Sequence, residues 1–168
     1  MIIGRNWRVT LLRAAIWAVI CSVIFKIALL RVEVDGISMS PTYRDHSKNW
    51  INRLAYVWHE PRRGDVVAIR FSREDSNNGH FRTPHLMLLK RIVALPGETI
   101  AFKNGRILIN GEILGEPYET QVVCDWNIPP VTLAEDEYYV VGDNRSMPEE
   151  NHTKGRCKRG QILGKILL

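Results

Sequence analysis

The chain opens on an apolar block unlike anything that follows it. Val9 to Leu30 spans 22 residues, mostly Ala, Ile, Val, Leu, Trp and Phe. As a helix it would extend roughly 33 Å, enough for the hydrocarbon core of a bilayer. Past this block the apolar positions change period. Arg31-Val-Glu-Val34 alternates, as a half-buried strand does. Asp65 to Phe71 is rich in β-branched residues and follows a Pro61-Arg-Arg-Gly64 turn. Met87 to Leu95 is the strongest strand pattern and stops at Pro96-Gly97. Thr99 to Phe102, Ile107 to Ile109 and Ile113-Leu114 are short strands separated by Asn104-Gly105 and Asn110-Gly111, the dipeptides that two-residue type I′ hairpins favour. Tyr138 to Val141 and Ile162 to Leu168 complete the set. Gly36 to Tyr43 reads as a turn, Ser72 to Pro84 as a polar surface loop, and Gly115 to Glu137 as an irregular excursion. No amphipathic helical pattern of ten residues follows the first block, so the pattern predicts a mainly β domain, residues 31–168, behind an N-terminal segment, residues 1–30.

Charge sharpens the reading of that first segment. Arg5, Arg8 and Arg13 precede or enter the apolar run with no acidic residue among them, and Glu33 and Asp35 follow it. This asymmetry makes the segment a transmembrane anchor with a cytoplasmic N-terminal stub and the β domain outside. Lys26 is compatible with the membrane if its ammonium snorkels to the far interface. A cleaved leader would need a small-x-small site after the run, and Leu29-Leu30-Arg31 does not supply one. A buried amphipathic helix is the remaining alternative.

Composition bounds the rest. At 168 residues with 45% hydrophobic content the chain can build one core. Its net charge of +5 suits a protein beside anionic lipid as well as a nucleic-acid binder. No recognition motif for nucleic acid accompanies that charge, so none is expected as a partner. Cys21 reads as a small apolar residue, while Cys124 and Cys157 would pair in an oxidising compartment or remain thiols. His80 and His85 have no further ligands near them, and neither metal nor cofactor is expected.

The candidate chemistry centres on Ser38, in Asp35-Gly-Ile-Ser-Met-Ser-Pro-Thr42. A serine hydroxyl attacks only when a base takes its proton and N–H donors receive the oxyanion. Gly36 and the Ser38 amide are the donors this turn would offer. The G-x-S-x-G elbow is not met, because Met39-Ser40 follows the serine. The five histidines, His46, His59, His80, His85 and His152, all sit in polar surroundings, and spacing leaves a Ser-His-Asp triad open. Lys90 shares its strand face with Leu88, Ile92 and Ala94. A lysine forced among such neighbours loses hydration and turns neutral more readily, as a Ser–Lys dyad requires. The competing reading is an ordinary strand lysine that reaches outward to water.

Gly36-Ile-Ser-Met-Ser-Pro-Thr42, Arg63-Gly-Asp-Val-Val67, Lys90-Arg-Ile-Val-Ala-Leu-Pro-Gly97 and Gly142-Asp-Asn-Arg145 follow one another in that order behind the apolar segment. Together they resemble the sequence boxes of type I signal peptidases, over nearly the whole chain. The resemblance implies an antiparallel β catalytic domain with Ser38 as nucleophile and Lys90 as general base. It assigns Met39 and Pro41 to the turn around the nucleophile, and Asp143 and Arg145 to the supporting wall, where Arg91 would pair with Glu150. It further implies a bacterial plasma-membrane enzyme that removes signal peptides from exported preproteins carrying small residues at −3 and −1. The chain departs from the family pattern in three places. Gly36 replaces an assisting serine, Pro148 stands where a hydroxyl would orient the lysine, and Glu150 replaces an Asp. Ser40, Ser146 and Thr153 are substitute hydroxyls. Alternatives are a maturation protease of a pilus or conjugation system, a catalytically inactive membrane scaffold, and a self-cleaving repressor-type protease, for which the DNA-binding module is missing.

Overall fold

The computed structural model describes residues 6–72, 85–115, 125–152 and 154–167. Helix α1 (Trp7–Ala28) has no buried residue. Its side chains are left exposed, with Phe25 near the C-terminal end edge-on to Trp50, and the helix is long and apolar enough to cross a membrane. It ends at Ala28, with Leu29 already extended at φ −116°, so Leu29 and Leu30 belong to the first strand rather than to the apolar helix.

Strand β1 (Leu29–Glu33) therefore starts where α1 stops. It is followed by β2 (Lys48–Asn52), β3 (Val66–Ser72), β4 (His85–Ala94), β5 (Thr99–Lys103), β6 (Arg106–Ile109), β7 (Glu112–Ile113), β8 (Ile128–Thr132), β9 (Glu137–Val141), β10 (Gly155–Lys158) and β11 (Ile162–Leu167). Seven strands form one antiparallel sheet in the order β1-β2-β11-β3-β4-β9-β10, and four form a second in the order β7-β6-β5-β8. The hairpin turns Asn104-Gly105 and Asn110-Gly111 take positive φ at both residues, as type I′ turns require.

Three strands lie where the sequence pattern is weak. β2 hides in a polar run because only Ile51 points into the core. β8 carries Pro129 and Pro130 and sits at the edge of the small sheet, where a missing N–H leaves no ladder bond unmade. β10 contributes a single core side chain, Cys157.

The large sheet is buried on both faces. Val66 and Ala68 of β3 join Val32, Val34, Met39, Ile51 and Ile166 on one side, while Val67 and Ile69 join Ile92, Tyr138 and Val140 on the other. The small sheet packs Ile100, Phe102 and Ile107 with Trp126 onto Val93, Tyr139 and Val141. Leu89 of β4 packs against the same cluster as Val32 of β1 and Val34 just beyond it. The sheet thus curls until its edge strand faces the middle of β4.

Candidate active site

The gap left by that curl is a cleft of about 420 Å³, part of it open to solvent, lined by Val32 to Asp35, Ser38, Met39, Ala68 and Met87 to Leu89. Among the described residues both long walls are unpaired strand edges. β9 pairs with β4 only from Arg91 onward, so among the described residues Met87 to Leu89 bond to β3 alone. On the other wall Val34 N–H donates to Ser47 (2.9 Å) and Val34 C=O accepts from His46 N–H (2.8 Å). Alternation then aims the N–H and C=O groups of Glu33 and Asp35 into the cleft.

Ser38 stands at the end of the cleft in a tight turn. Gly36 opens the turn at φ +95°, a conformation that side-chain-bearing residues rarely adopt. Tyr43 N–H closes it on Met39 C=O (2.9 Å), and Met39 is driven into the core at 1% exposure. Pro41 follows through a cis Ser40–Pro41 bond.

Lys90 reaches this serine from β4. Its Nζ lies 2.6 Å from Ser38 Oγ, and the lysine is 1% exposed. The outward-reaching alternative is thereby excluded. Burial pushes the Lys90 ammonium down to about 8, with the nearby Asp143 charge opposing that shift. Among the described residues no histidine takes this place. His46 lies beside Glu33, His59 bonds to Glu60 C=O, and His152 packs edge-on against Trp126. His80 and the side chain of His85 fall outside the described residues.

The supporting wall differs from the expected one. Arg91 forks onto Asp143, with Nε 2.8 Å from Oδ1 and Nη2 2.5 Å from Oδ2, and Glu150 is exposed. Asp143 also accepts from Thr42 Oγ1 (2.6 Å), and Arg91 Nη1 reaches Gly64 C=O (2.7 Å). The short 3-10 turn Glu149–Asn151 holds Glu150 on the surface, which is why the Arg91–Glu150 pair does not form. Arg145 folds back onto Gly142 C=O through Nε (2.9 Å). Gly36 is corrected as an oxyanion donor as well. Its N–H donates to Asp45 Oδ1 (2.8 Å), whereas the Ser38 N–H has no hydrogen bond among the described residues and remains a donor the turn offers. Pro148 is exposed, Ser146 bonds to Asn144, and Thr153 lies outside the described residues, so none of these is seen to orient Lys90. Lys90, itself 1% exposed, sits opposite the fully buried Val67 in the β3–β4 register. Cys157 is a buried thiol pushed up to about 12 by burial, and Cys124 is outside the described residues.

Residues 5–168 match the family described as signal peptidase, peptidase S26. The chain belongs to that family. It is 31% identical over 135 residues to a signal peptidase I of Leptolyngbya laminosa, covering 80% of this chain and 65% of that protein. It is 32% identical over 165 residues to a signal peptidase I of Bacillus amyloliquefaciens, covering 90% and 82% respectively. A solved signal peptidase I from Enterococcus faecalis aligns with a TM-score of 0.48 at 25% identity, covering 64% of this chain and 97% of that one. The chain spans 65% and 60% of the length of the Leptolyngbya relative and of a Synechocystis relative described as a probable signal peptidase I-2.

Within this S26 chain, sequence reasoning overlooked the roles of Asn144, Gly142, Thr42 and Asp45. Asn144 clamps the Ser38 turn, its N–H on Ser38 C=O (3.0 Å) and its Nδ2 on Ile37 C=O (3.0 Å). The Gly142-Asp-Asn string was the available signal, because an invading glycine followed by two short polar residues is a backbone-clamping pattern.

Proposed function

We propose that the chain is a membrane-bound serine endopeptidase that removes signal peptides from exported preproteins through a Ser38–Lys90 dyad. The 2.6 Å approach of a buried lysine amine to a serine hydroxyl, at the end of a cleft with two open strand edges, carries this reading. An extended substrate adds as a strand between β1 and β4 and presents its scissile carbonyl to Ser38. Small side chains at −1 and −3 turn inward toward the Val32 and Val34 side, consistent with an Ala-x-Ala cleavage rule.

Neutral Lys90 takes the Ser38 proton as Oγ attacks. The tetrahedral oxyanion is received by the Ser38 N–H, and collapse expels the mature protein's amine, protonated by Lys90. The acyl-enzyme is then hydrolysed by a water that gives its proton to Lys90, and Lys90 returns that proton to Ser38 Oγ as the signal-peptide acid leaves. Helix α1 anchors the protein in the bacterial plasma membrane, with the N-terminus in the cytoplasm and the β domain against the outer face.

A non-catalytic scaffold is the second reading, favoured by Pro148 standing where a hydroxyl would steady Lys90. Cleavage of a preprotein by the full chain in detergent separates the two. The proposal expects a cut after a small residue, lost in both Ser38→Ala and Lys90→Ala. Binding without cleavage by the unmutated chain would favour the scaffold, and cleavage surviving both substitutions would remove the dyad.

A further inference from the structure

The cleft wall carries a charge that the dyad does not use. Along Val32-Glu-Val-Asp35 burial alternates, with the valines buried and the carboxylates exposed. A substrate strand lying against this edge alternates in the same way, so residues between its inward −1 and −3 side chains emerge on the carboxylate side. The two acids are not equivalent there. Glu33 is opposite Lys48 in the β1–β2 register, and His46 Nδ1 lies 3.4 Å from its carboxylate. Asp45, the next acid along, is occupied by the Gly36 and His46 N–H groups. Asp35 has no ion pair or hydrogen bond to its carboxylate among the described residues, and it is the charged cleft residue nearest Ser38 in the chain.

We infer that Asp35 is a specificity-determining residue that selects substrates with a lysine or arginine at −2. The inference rests on the peptidase reading above and names a preference within it. A −2 side chain facing outward beside Asp35 forms a cross-strand pair of opposite charge when basic and of like charge when acidic. Such pairs are worth little each, but attraction and repulsion act in opposite directions on the two substrates. Together they separate Lys from Glu at −2 by roughly five- to tenfold in kcat/KM at low salt.

The test uses the full chain in detergent with three signal-peptide substrates that differ only at −2, carrying Ala, Lys or Glu. The Ala substrate reports the peptidase activity itself and normalises each variant. Lys should be cleaved faster than Glu by the unmutated protein, less so at 0.5 M salt, about equally by Asp35→Asn, and slower than Glu by Asp35→Lys. Cleavage of all three with a Lys-to-Glu ratio unmoved by Asp35→Asn and Asp35→Lys would overturn the inference and leave the peptidase reading standing. Failure to cleave the Ala substrate would overturn both.

Discussion

Gly142 and Ser38 meet backbone to backbone: a methyl group added at position 142 would lie 2.2 Å from the Ser38 carbonyl oxygen. No side chain is flexible enough to relieve that contact, because the obstructing atom is main chain and the turn holding it is clamped by Asn144 N–H at 3.0 Å. The imidazole of His152 lies on the same side, 2.7 Å from the same added methyl. The segment that follows β9 and the Ser38 turn are therefore held in register by the absence of one carbon.

Gly142→Ala should displace Ser38 relative to Lys90 while sparing the rest of the fold. A shift of about 1 Å in a reacting group lowers turnover about 10²-fold. Preprotein cleavage measured beside circular dichroism checks this; near-normal turnover with an intact fold would show that the approach does not position the serine.

In the proposed dyad the base, Lys90, sets the pH profile. With Lys90 held down to about 8, kcat/KM should climb about tenfold per pH unit below that value and level off above it. A profile controlled by a histidine would instead level off near pH 6 to 7. Initial rates on a peptide substrate between pH 6 and 9.5 distinguish them.

Lys90 also costs the fold something. Its folded value, about 8, is below its ordinary 10.5, so the unfolded chain binds more protons between those values and stability rises with pH across that window. Below pH 8 the full penalty, roughly 3 kcal/mol, is present. Lys90→Met should therefore be inactive yet more stable at pH 7, with its advantage shrinking from pH 8 to 10.5. Cys157 and Tyr139, each pushed up to about 12 by burial, lose stability as pH rises, but they contribute equally to both proteins and cancel in the difference. Denaturant midpoints of the pair across pH 7 to 10.5 measure it.

Asp143 serves two groups. Asp143→Asn removes the carboxylate onto which the buried Arg91 guanidinium forks, at 8% exposure, and should destabilise the fold by about 3 kcal/mol. It also removes the charge that supports protonated Lys90, so the rising limb of the pH profile should move to lower pH. A purely structural role would lower the melting temperature and leave the limb in place.

Much of this was legible from residue patterns alone. The Asn-Gly turns, the β4 run and the apolar helix follow from local backbone preference and period, which depend on a few adjacent residues. Lys90 could not be placed that way, because an apolar strand face serves a buried amine and a snorkelling one alike. Only the β3–β4 register beneath the nucleophile turn decides between them. Arg91 was misassigned to Glu150 because chain order carries no information on which acid a 3-10 turn leaves at the surface. Gly36 was misread as a donor for a related reason: its N–H is claimed by Asp45, nine residues on, through a bond that only the folded turn creates.

The most direct test of the central claim is the intact mass of the full chain after acid quench during turnover of a preprotein. The account predicts an added mass equal to the cleaved signal peptide's acyl fragment, mapped to Ser38 and missing from Ser38→Ala. Cleavage at an undiminished rate by Ser38→Ala, or an adduct on another residue, would contradict it.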